Sequence, residues 1–192
     1  MALHDQVAAL ARGQHGLISR EQLAQLQVPQ SLLQSWRRTG RIERLSPRVW
    51  VMAGAPESRQ QFALAGVLDA NPGAALSQSA GANWWDMTGF PLSPLQVIVP
   101  YRGRASRNYI AILHRSRTLT PDHVMRIRDV PVTTPTRTLF DLAATISLSH
   151  LERTLERALG HGLTKMGVGM DSPPPLRVRS PGGPGIGPRT RR

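Results

Sequence analysis

Apolar positions in the first fifty residues recur at two different periods, and the switch between them separates a helical stretch from a ribbon. Leu3, Val7, Leu10 and Ala11 keep helical spacing, which predicts an amphipathic helix over residues 4–12 with Gly13 and Gly16 bracketing its end. Ser19 and Gln22 stand at capping-box spacing, in which a hydroxyl and an amide satisfy backbone N–H groups left free at a helix start. A second helix therefore begins at Ser19, buries Leu23 and Leu26, and ends near Gln27, because Pro29 biases Val28 out of helical geometry. Pro29 then precedes a third helix with Leu32, Leu33 and Trp36 on its buried face. Gln30, Ser31, Gln34, Ser35, Arg37 and Arg38 face outward. Gly40 stops this helix, and Ile42, Arg44, Val49 and Val51 alternate around Ser46-Pro47-Arg48, the pattern of a β-hairpin.

Three helices followed by a hairpin are the ordered parts of a winged helix-turn-helix, expected over residues 1–52, and the activity this order implies is docking on duplex DNA. Glutamine can bond adenine bidentately, arginine can bond guanine or phosphate, and serine suits a base edge or the backbone. Gln30, Ser31, Gln34 and Arg37, with Ser35 on the same face, are the candidates for base edges and their neighbouring phosphates. Arg38, Arg41, Arg44 and Arg48 are the candidates for backbone contacts. For any single one of these arginines a plain solvated position is the competing reading.

Residues 56–165 carry the mixed pattern of a small α+β domain. A helix is expected over 57–70 with Phe62, Ala65 and Leu68 inward, and another from Ser77 to Trp84 and Trp85, with one tryptophan inward and its neighbour at a domain junction. Extended segments are expected over 95–99, 109–113 and 124–132, the last broken by a turn at Arg128-Asp129. Thr134-Pro135 supplies an N-cap with proline at the first helical position, and Leu139, Leu142 and Ala143 continue that helix's buried stripe. A last helix over 149–159 shows Leu151, Leu155 and Leu159 on one side, a core face or a partner-facing one. The whole is α+β: an N-terminal winged helix-turn-helix, a small mixed domain, and a tail over 166–192 whose glycine, proline and arginine cannot bury enough apolar surface to order it.

Charge strengthens the nucleic-acid reading. The chain of 192 residues has 24 basic against 12 acidic side chains, a formal charge of +12, and polyanions are the expected partners. Residues 101–117 hold Arg102, Arg104, Arg107, Arg115 and Arg117 with Tyr101 and Tyr109 and no acid, which reads as a loop facing water or as a second nucleic-acid or partner surface. Cysteine is absent, which removes disulfides and thiolate metal sites. No apolar run approaches a membrane span and the N-terminus lacks a signal-peptide core, so a cytoplasmic protein is the default expectation.

Enzyme readings lack residues. Lys165 is the single lysine and has no carboxylate beside it, so neither a restriction-type nuclease core nor a phosphate loop is present in the sequence. The six histidines show no paired spacing for zinc. Asp69, Asp86, Asp122, Asp129 and Asp141 are expected at helix ends, turns or helix surfaces. No catalytic residue, metal site or cofactor is assigned, and the chain is read as a non-enzyme.

Several strings together resemble a family. Gly16-Leu17-Ile18-Ser19-Arg20-Glu21-Gln22-Leu23, Leu45-Ser46-Pro47-Arg48-Val49-Trp50-Val51, Ala75-Leu76-Ser77 to Trp84-Trp85, His114-Arg115-Ser116, and Val130 to Ala143 with its Thr134-Pro135-Thr136-Arg137-Thr138 core resemble the bacterial AbiEi-type antitoxins over about residues 3–162. The resemblance implies a transcriptional regulator of the type IV toxin–antitoxin class, binding a promoter operator and countering a nucleotidyltransferase-like toxin. Many similar chains continue into a Vsr-type restriction-endonuclease-like domain, and the change of composition after Leu163 suggests a truncation or frameshift, with a genuine basic extension as the alternative. A targeting remnant of such a nuclease and a toxin-binding module are the competing functional expectations.

Overall fold

The computed structural model describes residues 3–70, 72–101 and 107–164; the expected tail over 166–192, Lys165, Arg102 and Arg104 lie outside the described residues. It is a mixed α+β chain, with seven α-helices and two sheets among those residues. No helix among them is long and apolar enough to cross a membrane.

The head begins with α1 (Leu3–Arg12), whose Val7 and Ala11 are buried while Leu10, expected inward, lies at the surface. A strand that hydrophobic periodicity did not predict follows: β1 (Leu17–Ser19), all three residues buried. Ser19 ends it and caps α2 (Arg20–Gln25), with its backbone N–H donating to the Gln22 side chain at 2.9 Å and its hydroxyl accepting from the Gln22 N–H at 3.2 Å. Gln27 turns the chain in a left-handed conformation (φ 55), and Val28 N–H closes back on the Leu23 carbonyl at 2.9 Å. Pro29 caps α3 (Gln30–Arg38), which ends in the same kind of closure at Gly40. Strands β2 (Ile42–Arg44) and β3 (Val49–Met52) form the expected hairpin, and β1 pairs with the far side of β3 to give the order β1-β3-β2. Ile18, Leu23, Leu33, Trp36, Ile42 and Trp50 pack with Val7 into one core that holds the helices on the sheet. Each such side chain contributes about 1.5–3 kcal/mol on burial.

The body is built on a five-stranded sheet of order β6-β5-β4-β8-β7, comprising β4 (Ala75–Leu76), β5 (Gln96–Pro100), β6 (Ile112–Ser116), β7 (Val124–Ile127) and β8 (Val130–Thr133). The turn at Arg128-Asp129 divides β7 from β8 where the sequence places it; β6 starts three residues later than expected, because Asn108 accepts from the Ile110 and Ala111 N–H groups and holds that stretch in a turn. Ala75 and Leu76, just ahead of the helix expected from Ser77, are strand residues at the middle of the sheet. Register puts Leu76, Val97 and Val132 on one face and Ala75, Ile98 and His114 on the other.

Helix α4 (Arg59–Asp69) lies between the two sheets and is buried on nearly every side, not along the single stripe of Phe62, Ala65 and Leu68. Its run Ala63-Leu64-Ala65-Gly66-Val67 permits this: a β-carbon at Gly66 would sit only 3.0 Å from Leu95 and 3.3 Å from Ala111. The remaining helices are α5 (Gln78–Trp84), α6 (Pro135–Leu142) and α7 (Leu148–Gly160). Trp84 and Trp85 are both buried in the body core, donating to the Ile127 and Thr133 carbonyls at 3.0 and 2.8 Å, so neither stands at a domain junction. On α7 the buried positions are Thr154 and Ala158, and Leu155 is turned outward, because the two small side chains let the helix approach the body more closely than a leucine stripe would.

Between β6 and β7 the chain crosses the second face of the sheet, with Leu119 covering Ala75 and Ile98. Arg137 on α6 clasps this crossing. Its guanidinium donates to Asp141 at 3.0 Å, to the Ser116 hydroxyl at 3.0 Å and to the Thr118 hydroxyl at 3.2 Å, and both Arg137 and Asp141 are buried. Asp141 is thus interior and not at a helix surface. His114 sits beside this clasp with Nδ1 3.3 Å from the Gln78 amide nitrogen; burial lowers its pKa from 6.5, and Asp141 only partly offsets this.

Folded His114 therefore resists a proton that the unfolded chain accepts, so its contribution to stability is intact above about pH 6.5 and falls as pH drops through the window below that value. Thermal melts between pH 7.5 and 5 should show a declining Tm, and His114→Asn should make that decline shallower; parallel declines in the two proteins would remove His114 as its cause.

Candidate functional site

Two adjoining depressions lie on the head where α3 meets the hairpin. The larger, about 650 Å³, is lined by Ser31, Gln34, Ser35, Arg37 and Arg38 from α3 and by Ile42, Glu43 and Arg44 from β2. A smaller one of about 250 Å³ shares Gln34, Arg37 and Arg44 and adds Arg20 from α2, Gln30, Pro47 and Trp50. The indole N–H of Trp50 is buried without an acceptor among the described residues. Gln30, Ser31, Gln34, Arg37, Arg38 and Arg44 are exposed, and Ser35 is half-buried.

Local sequence explains this convergence. Leu33 and Trp36 must enter the head core, so 100° per residue sends Ser31, Gln34 and Arg38 to the open side of α3. Ile42 anchors the start of β2 in the same core, which carries Glu43 and Arg44 past the end of α3. Arg44 Nε donates to the Ser46 carbonyl at 3.0 Å, fixing the side chain near the hairpin turn.

The turn itself is tied to the body. Ser46 is buried; its hydroxyl accepts from the Arg48 and Val49 N–H groups at 3.0 Å each and donates to the carboxylate of Asp69, the last residue of α4. The other oxygen of Asp69 accepts the Tyr109 N–H. Asp69 stands at a helix end, as the sequence suggests, and is fully buried there. No protein-family model matches this chain, and no curated protein matches it. The chemistry of the two depressions stands on the side chains alone.

Seven of the nine sequence candidates line the depressions: Gln30, Ser31, Gln34, Ser35, Arg37, Arg38 and Arg44. Arg41 is exposed but lines neither. Arg48, expected to reach outward from the hairpin, is half-buried and donates to the Asp69 carbonyl at 3.2 Å, because the Ser46–Asp69 contact draws the turn onto α4. Arg20, Glu43 and Trp50 were missed. Arg20 carried a signal, since a basic side chain just after the Ser19 cap begins the helix that packs ahead of α3; Glu43 and Trp50 carried none before the register of β2 with β3 is known. Arginines and amides around an open depression present donors in excess, which suits a polyanion whose phosphates and base edges accept.

Asp69→Ala should leave the Ser46 hydroxyl and the Tyr109 N–H without their acceptor inside the protein, lowering stability by about 3 kcal/mol or more. Urea denaturation measures this directly, and a loss under 0.5 kcal/mol would show that the carboxylate is not what fastens the hairpin turn.

Proposed function

We propose that the chain is a sequence-specific duplex-DNA-binding regulator, its head acting as a winged helix-turn-helix and its class being that of the AbiEi-type antitoxins. The observation that carries this reading is that the polar face of α3 and Arg44 of the hairpin bound the same depression. Helix α3, nine residues and about 14 Å long, has with its side chains a diameter of about 10–12 Å, which fits a major groove about 12 Å wide. Gln34, Ser31 and Arg37 are the side chains that would meet base edges in this reading, where a bidentate contact is worth about 1–3 kcal/mol of discrimination. Arg20, Arg38 and Arg44 flank them for phosphates, which contribute affinity and salt dependence without sequence information. Arg44 keeps the backbone role expected of it, whereas Arg48, expected to share that role, has its guanidinium engaged by the body.

A second role for the body, holding a protein partner such as a nucleotidyltransferase-like toxin, would draw on exposed apolar side chains such as Phe140 on α6 and Leu148 on α7, which are 69% and 70% exposed. It is compatible with the first, since neither residue lines the depressions beside α3.

In gel-shift competition between the gene's own upstream region and random duplex, Gln34→Ala with Arg37→Ala should abolish the preference for the upstream region. Arg44→Ala should weaken both duplexes alike and reduce the slope of log affinity against log salt by about 0.9, the value of one phosphate contact. A double variant that keeps its full preference would refute the placement of α3.

A further inference from the structure

The hairpin turn is the meeting point of two surfaces. On one side Pro47 lines the smaller depression beside α3. On the other, Ser46 and Arg48 bond to Asp69, and Asp69 in turn holds the Tyr109 N–H, so that residues 107–109 are fastened against the back of the turn. Tyr109 is about half exposed (52%), and the guanidinium of the exposed Arg107 lies over its ring at 5.4 Å. From residue 107 to 117 there is no acidic side chain.

We propose that Arg107 and Tyr109 form a second duplex-contacting strip, continuous with the head through the Ser46–Asp69–Tyr109 chain of hydrogen bonds, which extends the footprint along the sugar-phosphate backbone beyond the segment read by α3. The proposal rests on the duplex-binding reading of the head. Charge and attachment select the occupant: an exposed arginine stands in a stretch without an acid from residue 107 to 117, tied through Asp69 to the same turn whose Pro47 lines the smaller depression. Arg107 is suited to a backbone contact because stacking on Tyr109 restricts its rotamers before binding, which reduces the ordering cost of the contact. Tyr109 is held through its main chain, so its side chain can be removed without disturbing the bond to Asp69.

The test is fluorescence anisotropy of the full chain on a 24-base-pair duplex across a salt series, with melting temperature as the folding control. Arg107→Ala should weaken binding by roughly threefold to tenfold and reduce the salt slope by about 0.9, and Arg107→Lys should restore the slope. Tyr109→Ala should weaken binding with the slope retained, since it removes the platform and leaves the charge. Arg157→Ala, on the exposed face of α7, should change neither. An Arg107→Ala protein that matches wild type in affinity and slope, while Arg37→Ala is impaired, overturns this strip and leaves the head's reading standing. Equal losses from Arg107→Ala and Arg157→Ala also overturn it, as they mark general charge attraction. Absence of salt-dependent duplex affinity in the wild type sinks the strip and the head together.

Discussion

A carboxylate with no exposure to water, at the C-terminal end of a helix, is the constraint on which the arrangement of head and body depends. Asp69 sits where the helix dipole is unfavourable to negative charge, and burial adds a desolvation cost of several kcal/mol. Local preference therefore argues against it. Two hydrogen bonds to the carboxylate, from the Ser46 hydroxyl and the Tyr109 N–H, offset that cost, with the Arg48 guanidinium held on the carbonyl of the same residue. Because the Ser46 hydroxyl simultaneously accepts two N–H groups of its own turn, the hairpin cannot shift relative to α4 without breaking several bonds at once. The geometry of the depression between α3 and β2 is thus fixed from behind by the body.

The same coupling is written in the packing. Helix α4 touches both sheets, and Leu17 and Val49 of the head belong to the core cluster that holds Leu64, Val97 and Val132 of the body. Gln61 on α4 reaches back to the His15 carbonyl at 2.8 Å, and Gly16 beside it leaves no room for a β-carbon against Ala55, 2.2 Å away. The head over residues 3–52 therefore has a core of its own and is also joined to the body's core through Leu17 and Val49, so it is not a bead on a linker, although its elements could be read in isolation.

That difference marks how far the sequence could be read. The capping box at Ser19 and Gln22, the proline ahead of α3, Gly40 and the hairpin turn are local signals, decided by neighbours within four residues, and the structure contains each of them. The strands β1 and β4 escaped because three and two residues are too few to show a period, and their partners lie some thirty and twenty residues away. The burial of Asp69 was hidden for the same reason, since its partners Ser46 and Tyr109 come from other segments, and the burial of Asp141 because its neighbour Arg137, four residues back, is drawn inward by Ser116 and Thr118. Of the candidate site, the residues on α3 were legible from helical phase, whereas the hairpin's share depended on which way the turn was pulled, and only tertiary contact decides that.

Arginine counting alone would have treated Arg41, Arg44 and Arg48 as equivalent. Their surroundings separate them: Arg48 is engaged by the body, Arg41 lies off the depressions, and Arg44 borders both. Glu43 sharpens this further, since a negative side chain beside Arg37, Arg38 and Arg44 lowers the attraction of the depression for phosphate in general. Under the duplex-binding proposal that loss is common to all sequences, while contacts from Gln34 and Arg37 favour particular ones, so the ratio between specific and non-specific affinity rises even as absolute affinity falls. A regulator that must find one site among a great excess of competing duplex is better served by that ratio than by raw charge, and the placement of an acid inside the most basic part of the head is intelligible on those terms.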